Sequence, residues 1–154
     1  MPWKCFIARA AGLALCLAVA ATPVPSLAQA VPAQTVVVEN DRGGLLAERL
    51  REIARLRQSG ARVEIRGRVC LSSCTMYLAV PDICVDPDVT FGFHGPSSYG
   101  RPLSPAHFEN WSQIMASHYP ETLRRWFLSV ARYRTSGYYR VSGAQLISMG
   151  TPRC

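Results

Sequence analysis

Two serines and a histidine stand in this sequence in a setting suited to acyl transfer. Cys70-Leu71-Ser72-Ser73-Cys74 puts a hydroxyl pair at the start of a short segment that Pro81 ends, and an apolar run from Val89 to Phe93 closes on His94-Gly95-Pro96. An alcohol and an imidazole delivered from neighbouring elements are the minimum for nucleophilic catalysis through an acyl-enzyme. Ser72 with His94 is the pair read here. On residue type alone Ser73 serves equally as cap or nucleophile, and Ser72 has the competing reading of a simple helix N-cap.

The compartment bears on this chemistry. Lys4 and Arg9 precede an apolar run from Ala10 to Ala21 that Pro23 and Pro25 break, and Ala28-Gln29-Ala30 offers small residues for cleavage. This pattern predicts a secretory signal over residues 1–30, cleaved after Ala30, and a single domain over 31–154. The signal takes Cys5 and Cys16 with it and leaves Cys70, Cys74, Cys84 and Cys154, an even number for an oxidising compartment, periplasmic or extracellular. Three pairings are open. Cys70–Cys74 with Cys84–Cys154 is favoured because Cys70 and Cys74 flank a helix start, where one turn brings them within bridging distance. The series Cys70, Cys74, Cys84, His94 lacks a close Cys-x-x-Cys pair, so no metal is expected.

Lys4 is the only lysine, and it leaves with the signal. A Ser–Lys dyad and a lysine Schiff base are thereby excluded from the remaining chain. The positive charge rests on arginines spread along the sequence with no dense basic run, which argues against a nucleic-acid partner. No membrane association is expected once the signal is removed.

The elements that must position the pair follow from periodicity. Thr35–Glu39 is a β-branched run and predicts a buried strand, ending in Asn40-Asp41-Arg42-Gly43-Gly44. Gly44–Gln58 carries an apolar stripe (Leu46, Leu50, Ile53 and Leu56 among it) and reads as an amphipathic helix stopped by Ser59-Gly60. Glu48, Glu52, Arg51 and Arg55 are read as solvated-face charges. Ala61–Arg66 alternates as a second strand, so strand, helix and strand predict a βαβ unit with a parallel sheet. Gly67–Leu71 is read as a connection, Ser72–Ala79 as a helix of about two turns, and Val89–Phe93 as a third strand placing His94 at its C-terminal end, where open α/β sheets bind ligands. Gly95–Pro105, rich in Gly, Pro and Ser, is expected to be a mobile lid. Helices are expected over Ser104–Met115 and Glu121–Tyr133, an irregular stretch over Arg134–Tyr139, and a last helix over Gly143–Met149 capped by Ser142. Trp111, Trp126 and their apolar neighbours are core or oligomer contacts, which leaves self-association open. His107 and His118 fall in or beside the later helices and are not expected to take part in catalysis.

Taken in order, Asn40-x-x-Gly43-Gly44, Cys70-Leu71-Ser72-Ser73-Cys74, Pro87 with Phe91-Gly92-Phe93-His94, and Ser142-Gly143-Ala144 through Gly150 resemble the ClpP/crotonase superfamily. The similarity is to small secreted bacterial members related to the proteolytic subunit of Clp protease, and it spans roughly Thr35 to Gly150. The resemblance implies an α/β fold with a parallel sheet built from βαβ units and helices packed on it. It implies Ser72 as nucleophile, His94 as general base, and an oxyanion hole from the Gly44 and Ser73 N–H groups. A serine at a helix start suits that role, because unpaired N–H groups and the positive end of the helix dipole favour a nearby oxyanion.

One feature departs from the family. Its third catalytic member, an aspartate, falls near Arg134-Thr135, and no carboxylate occurs after Glu121. His94 must then be oriented by something else: Thr135, Ser136, a backbone carbonyl, or a distant carboxylate such as Glu109. The expectation is an exported serine hydrolase, a peptidase acting on a peptide or protein substrate with no cofactor. The alternative is an inactive domain of the same fold that binds a peptide or partner protein. A crotonase-like acyl-thioester enzyme is disfavoured, since coenzyme A thioesters are not expected outside the cytoplasm.

Overall fold

The structure, a computed structural model, describes residues 34–154; the expected signal segment, with Cys5 and Cys16, lies outside the described residues. It is a mixed α/β domain on one five-stranded sheet. Strand β1 (Thr35–Asp41) leads into helix α1 (Leu46–Ser59) and then β2 (Arg62–Leu71). A 3₁₀ helix (Ser72–Ala79), β3 (Ile83–Val85) and β4 (Thr90–Phe93) follow. Helices α2 (Pro105–Ala116) and α3 (Glu121–Ser129), a 3₁₀ turn (Ala131–Tyr133), β5 (Tyr139–Ser142) and α4 (Gly143–Ser148) complete the order.

The sheet order is β1-β2-β4-β5, with β3 also paired to β2. β1 and β4 run parallel to β2, as the βαβ reading expected, and so does β3, but β5 pairs antiparallel with β4, Phe91 opposite Val141. The sheet is therefore mixed rather than parallel. β5 and β3 were not anticipated. Ile83–Val85 is too short for its periodicity to show between Pro81 and Pro87, and Tyr139–Ser142 hides at the end of a polar stretch.

β2 is the organising strand and runs longer than expected. Gly67–Leu71, read as a connection, continues the strand through a bulge. Pairing with β1 shifts between Glu39↔Arg66 and Asp41↔Cys70. Gly67 has φ +78°, and Asn40, itself at φ +54°, accepts the Arg68 N–H at 2.9 Å through Oδ1. A bulge bends its strand and increases the local twist. Here it lets one strand serve two neighbours in succession, Val63–Ile65 pairing with β3 and Val69–Leu71 with β4.

β1 was expected to be buried, but as the edge strand it buries only Val38 fully, while Val37 is half exposed. α1 packs Ile53 and Leu56 into the core and stops at Gly60, φ +64°, as a left-handed C-cap. The remaining core gathers Phe91, Phe93, Tyr119 and Phe127, whose rings meet edge to face at 5.1–5.5 Å where they touch Tyr119. The helix expected over Glu121–Tyr133 breaks at Val130, φ −133°, and resumes as 3₁₀. Ser142 caps α4 through a capping box with Gln145, as its sequence implied. None of the described helices is long and apolar enough to cross a membrane.

Cys70 pairs with Cys74 and Cys84 with Cys154, the favoured pairing. These sulfurs are consumed in disulfides, so the grouping of Glu64 with Cys84 and Cys154 is no metal site. The second bridge ties the C-terminus to β3, beside which Val85 donates to Pro152 O at 2.9 Å and Cys154 to Val85 O at 3.1 Å. The two bridges span very different loops, 70 and 4 residues. Loop-closure entropy then predicts that Cys84→Ala/Cys154→Ala loses about 4 kcal/mol of stability and Cys70→Ala/Cys74→Ala only about 2 kcal/mol. Urea unfolding of the two double variants measures the order directly.

Candidate active site

Three adjacent parallel strands end at the same edge of the sheet. β1 delivers the Asp41–Gly44 turn, β2 delivers Ser72, and β4 delivers His94, with Leu71 directly opposite Gly92. Ser72 Oγ and His94 Nε2 lie 2.7 Å apart, within hydrogen-bond reach.

Ser72 occupies an unusual backbone. Its φ is +56°, left-handed for a residue that carries a Cβ, and the strand passes into the 3₁₀ helix with no intervening loop. Such strand-to-helix turns cost about 1–3 kcal/mol and serve to hold a side chain out where it can react. The N-cap position belongs to Leu71, and no side chain caps this helix. The capping reading of Ser72 therefore lapses; its hydroxyl goes to His94 instead. Ser73 is wholly buried, and its Oγ donates to Gly44 O at 3.2 Å. That bond ties the helix to the glycine turn and removes the Ser73 hydroxyl as a competing nucleophile.

The turn before α1 is built to approach Ser72. At Gly43, φ +92°, a Cβ would lie 2.6 Å from Ser72 Cβ and 2.8 Å from Leu71 O. At Gly44 a Cβ would meet nothing within 4 Å. The two glycines thus differ in role: Gly43 permits the contact, and Gly44 lines the open space beside Ser72. The Gly43 N–H donates to Asp41 Oδ1 at 2.7 Å. Asp41 in turn pairs with Arg49, which also bonds Glu52 Oε2 at 2.8 Å and the Tyr77 hydroxyl, and stacks 4.2 Å over the Tyr77 ring. This chain of contacts links the end of β1, α1 and the 3₁₀ helix. Sequence reading missed it because Arg49 occupies a position of the α1 stripe normally given to an apolar side chain. Glu52 likewise was read as a solvated charge. The Ser73 N–H, the second donor that the resemblance implies, precedes the first intrahelical bond, as N–H groups at a helix start do.

His94 is largely buried, which pushes its pKa below the ordinary 6.5, while the Gly95 backbone acts in the opposite direction. The ring is neutral at physiological pH, the form that accepts a proton. A backbone group that raises an imidazole pKa acts as an acceptor. The ring also packs edge-on to Tyr138, centroids 5.2 Å apart. Of the other orienting groups anticipated, Glu109 is occupied by Gln113 and Arg132, and Thr135 and Ser136 make no hydrogen bond to the ring among the described residues. Among the described residues the ring's one hydrogen bond is to Ser72, and the Gly95 backbone is the other polar group that acts on it.

A cleft of about 590 Å³ opens on Ser72, His94 and Gly44. Its walls are the start of α1 (Leu45, Leu46, Ala47), the Pro96–Gly100 segment, Leu103, and Trp111 and Met115 of α2. Among the described residues no Asp, Glu, Lys or Arg lines it. Gly95–Pro105, expected as a mobile lid, forms a wall, with a turn closed by two 2.9 Å bonds between Ser98 and Arg101. His107 is exposed on α2, and His118 Nδ1 bonds Ile114 O at 2.8 Å; neither lines the cleft. No protein-family model matches the chain, and no curated protein matches its sequence.

Two expectations follow. Gly43→Ala should displace Ser72 and lose about 1–3 kcal/mol of stability, as forced overpacking does, whereas Gly44→Ala should leave urea unfolding near native. A destabilised Gly44→Ala with a native-like Gly43→Ala would contradict this assignment. The lowered pKa of His94 also sets a pH dependence. Between that value and 6.5 the unfolded chain binds more protons than the folded one, so stability is full above 6.5 and falls as pH falls through the window. Burial lowers His118 with the same sign. His94→Gln should therefore flatten the slope of unfolding free energy against pH without abolishing it.

Proposed function

We propose that this chain is an exported serine hydrolase of the ClpP/crotonase type, a peptidase acting on a peptide or protein substrate and using no cofactor. The observation that carries the reading is the 2.7 Å contact between Ser72 Oγ and His94 Nε2 at the mouth of an uncharged cleft. In this reaction His94 takes the Ser72 proton on Nε2 as Oγ attacks the acyl carbon. The oxyanion that forms is met by the Gly44 and Ser73 N–H groups. His94 then returns the proton to the leaving group, and water repeats the sequence to release the acyl chain. The cleft walls favour an uncharged, apolar side chain next to the scissile bond. Two disulfides support an oxidising compartment, periplasmic or extracellular.

A second reading has its own support. Among the described residues no carboxylate hydrogen-bonds to His94, and its imidazolium would form in a buried setting with no opposite charge beside it. A domain that holds a peptide in this cleft without cleaving it fits that fact. In this reading the Ser72 hydroxyl is a hydrogen-bonding group to the ligand.

A fluorophosphonate probe separates the two. In the hydrolase it labels Ser72, Ser72→Ala abolishes labelling, and His94→Gln slows it by about 10²–10⁴-fold, the contribution of a general base. Labelling should rise with pH to a plateau already reached at neutrality, since His94 titrates below 6.5. Folded protein that stays unlabelled yet binds peptide supports the binding domain.

A further inference from the structure

We propose that the Cys70–Cys74 disulfide is the positioning device for Ser72: it holds that residue's left-handed backbone and so keeps Oγ on His94 Nε2. The proposal rests on reading Ser72 and His94 as the reacting pair.

The bridge brackets the serine symmetrically, one cysteine two residues before it and the other two residues after it, with Cα atoms 5.3 Å apart. Cys70 is anchored in the sheet, opposite Asp41 on β1 and Phe91 on β4. Cys74 lies inside the 3₁₀ helix, and both are wholly buried. The crosslink therefore fixes the end of β2 to the first turn of the helix across the single residue whose φ is unfavourable.

As a stabiliser of the whole fold this bridge is poorly placed. The loop it closes is only four residues in separation, and such loops remove little freedom from the unfolded chain. Its local effect is of another kind. A non-glycine residue at φ +56° persists only where its surroundings over-determine it. Three contacts besides the bridge bear on this one. Gly43 crowds its Cβ, Thr75 Oγ1 donates to its carbonyl at 2.7 Å, and His94 takes its hydroxyl. None of these ties the strand covalently to the helix. Without the crosslink the helix start is free to swing until Ser72 reaches the right-handed region, and its Oγ leaves the imidazole.

The test compares the native chain with Cys70→Ala/Cys74→Ala and with Cys70→Val/Cys74→Ala, which refills more of the vacated volume. Far-UV circular dichroism reports the fold. Two readouts then report the pair: the fluorophosphonate labelling rate, and the His94 ring titration by NMR with and without Ser72→Ala. Both crosslink variants should fold and label about 100-fold more slowly, the effect of misplacing a reacting group by about 1 Å. Ser72→Ala should shift the His94 titration in the native chain and leave it unmoved in the variants. Native labelling together with native Ser72–His94 coupling in a folded variant would overturn the proposal. Loss of the fold in both variants would also overturn it, since the bridge would then determine the fold rather than the pair. A native chain that never labels, but whose Ser72–His94 coupling vanishes with the crosslink, would refute the hydrolase reading and keep the positioning role.

Discussion

The structure turns on one backbone conformation, the left-handed residue at the end of β2. A strand and a helix joined without a loop must change direction within a single residue, and Ser72 makes that change at φ +56°. What surrounds it can be read as a consequence. Gly43 lacks a side chain because one would enter the space of Ser72 Cβ. The bulge at Gly67 redirects β2 so that its last residues pair with β4 rather than β3, which sets His94 opposite the turn. The Asp41–Arg49–Tyr77 contacts hold the glycine turn against it from the other side.

Charge is distributed to suit such a site. The chain is strongly basic, yet its cleft is lined by no charged side chain. Several arginines are instead satisfied elsewhere: Arg49 on Asp41 and Glu52, Arg62 and Arg66 on Glu64, Arg132 on Glu109. Hydrogen bonds from Arg66 and Arg62 lower the Glu64 pKa below its usual value. In the proposed reaction, with charged side chains kept out of the cleft, backbone amides are the groups that would meet a developing oxyanion.

Much of this was legible in the residues, for identifiable reasons. β1, α1, the β2 core, the 3₁₀ segment and β4 announced themselves by β-branched runs, a helical apolar stripe and Gly or Pro stops. Their parallel order alone brought Gly44, Ser72 and His94 to one sheet edge. The disulfide pairing followed from local reach. What escaped was what depends on three-dimensional pairing. β3 and β5 are too short to carry a period, and β5 makes the sheet mixed. The Gly67–Leu71 extension needed the bulge, whose signal was an isolated glycine in a β-rich run. Arg49 violated the apolar pattern of its helix, and such a violation at a stripe position is itself a pointer to a buried ion pair. The distinction between Gly43 and Gly44 was not readable at all, because it is a matter of which one faces Ser72 Cβ.

The group behind His94 bears on what the proposed hydrolase could do. A carboxylate in that place fixes the imidazole tautomer, and it also offsets the positive charge that appears when the ring takes the serine proton. The Gly95 backbone supplies no such charge. The depressed pKa of His94 is the mark of the missing second effect: burial penalises the charged ring, and no opposite charge repays it. Deprotonating Ser72 is then the uphill part of the proposed reaction, and the amides around the oxyanion must carry more of the transition state. Amide cleavage by the proposed peptidase would then lean on those amides more than on the base.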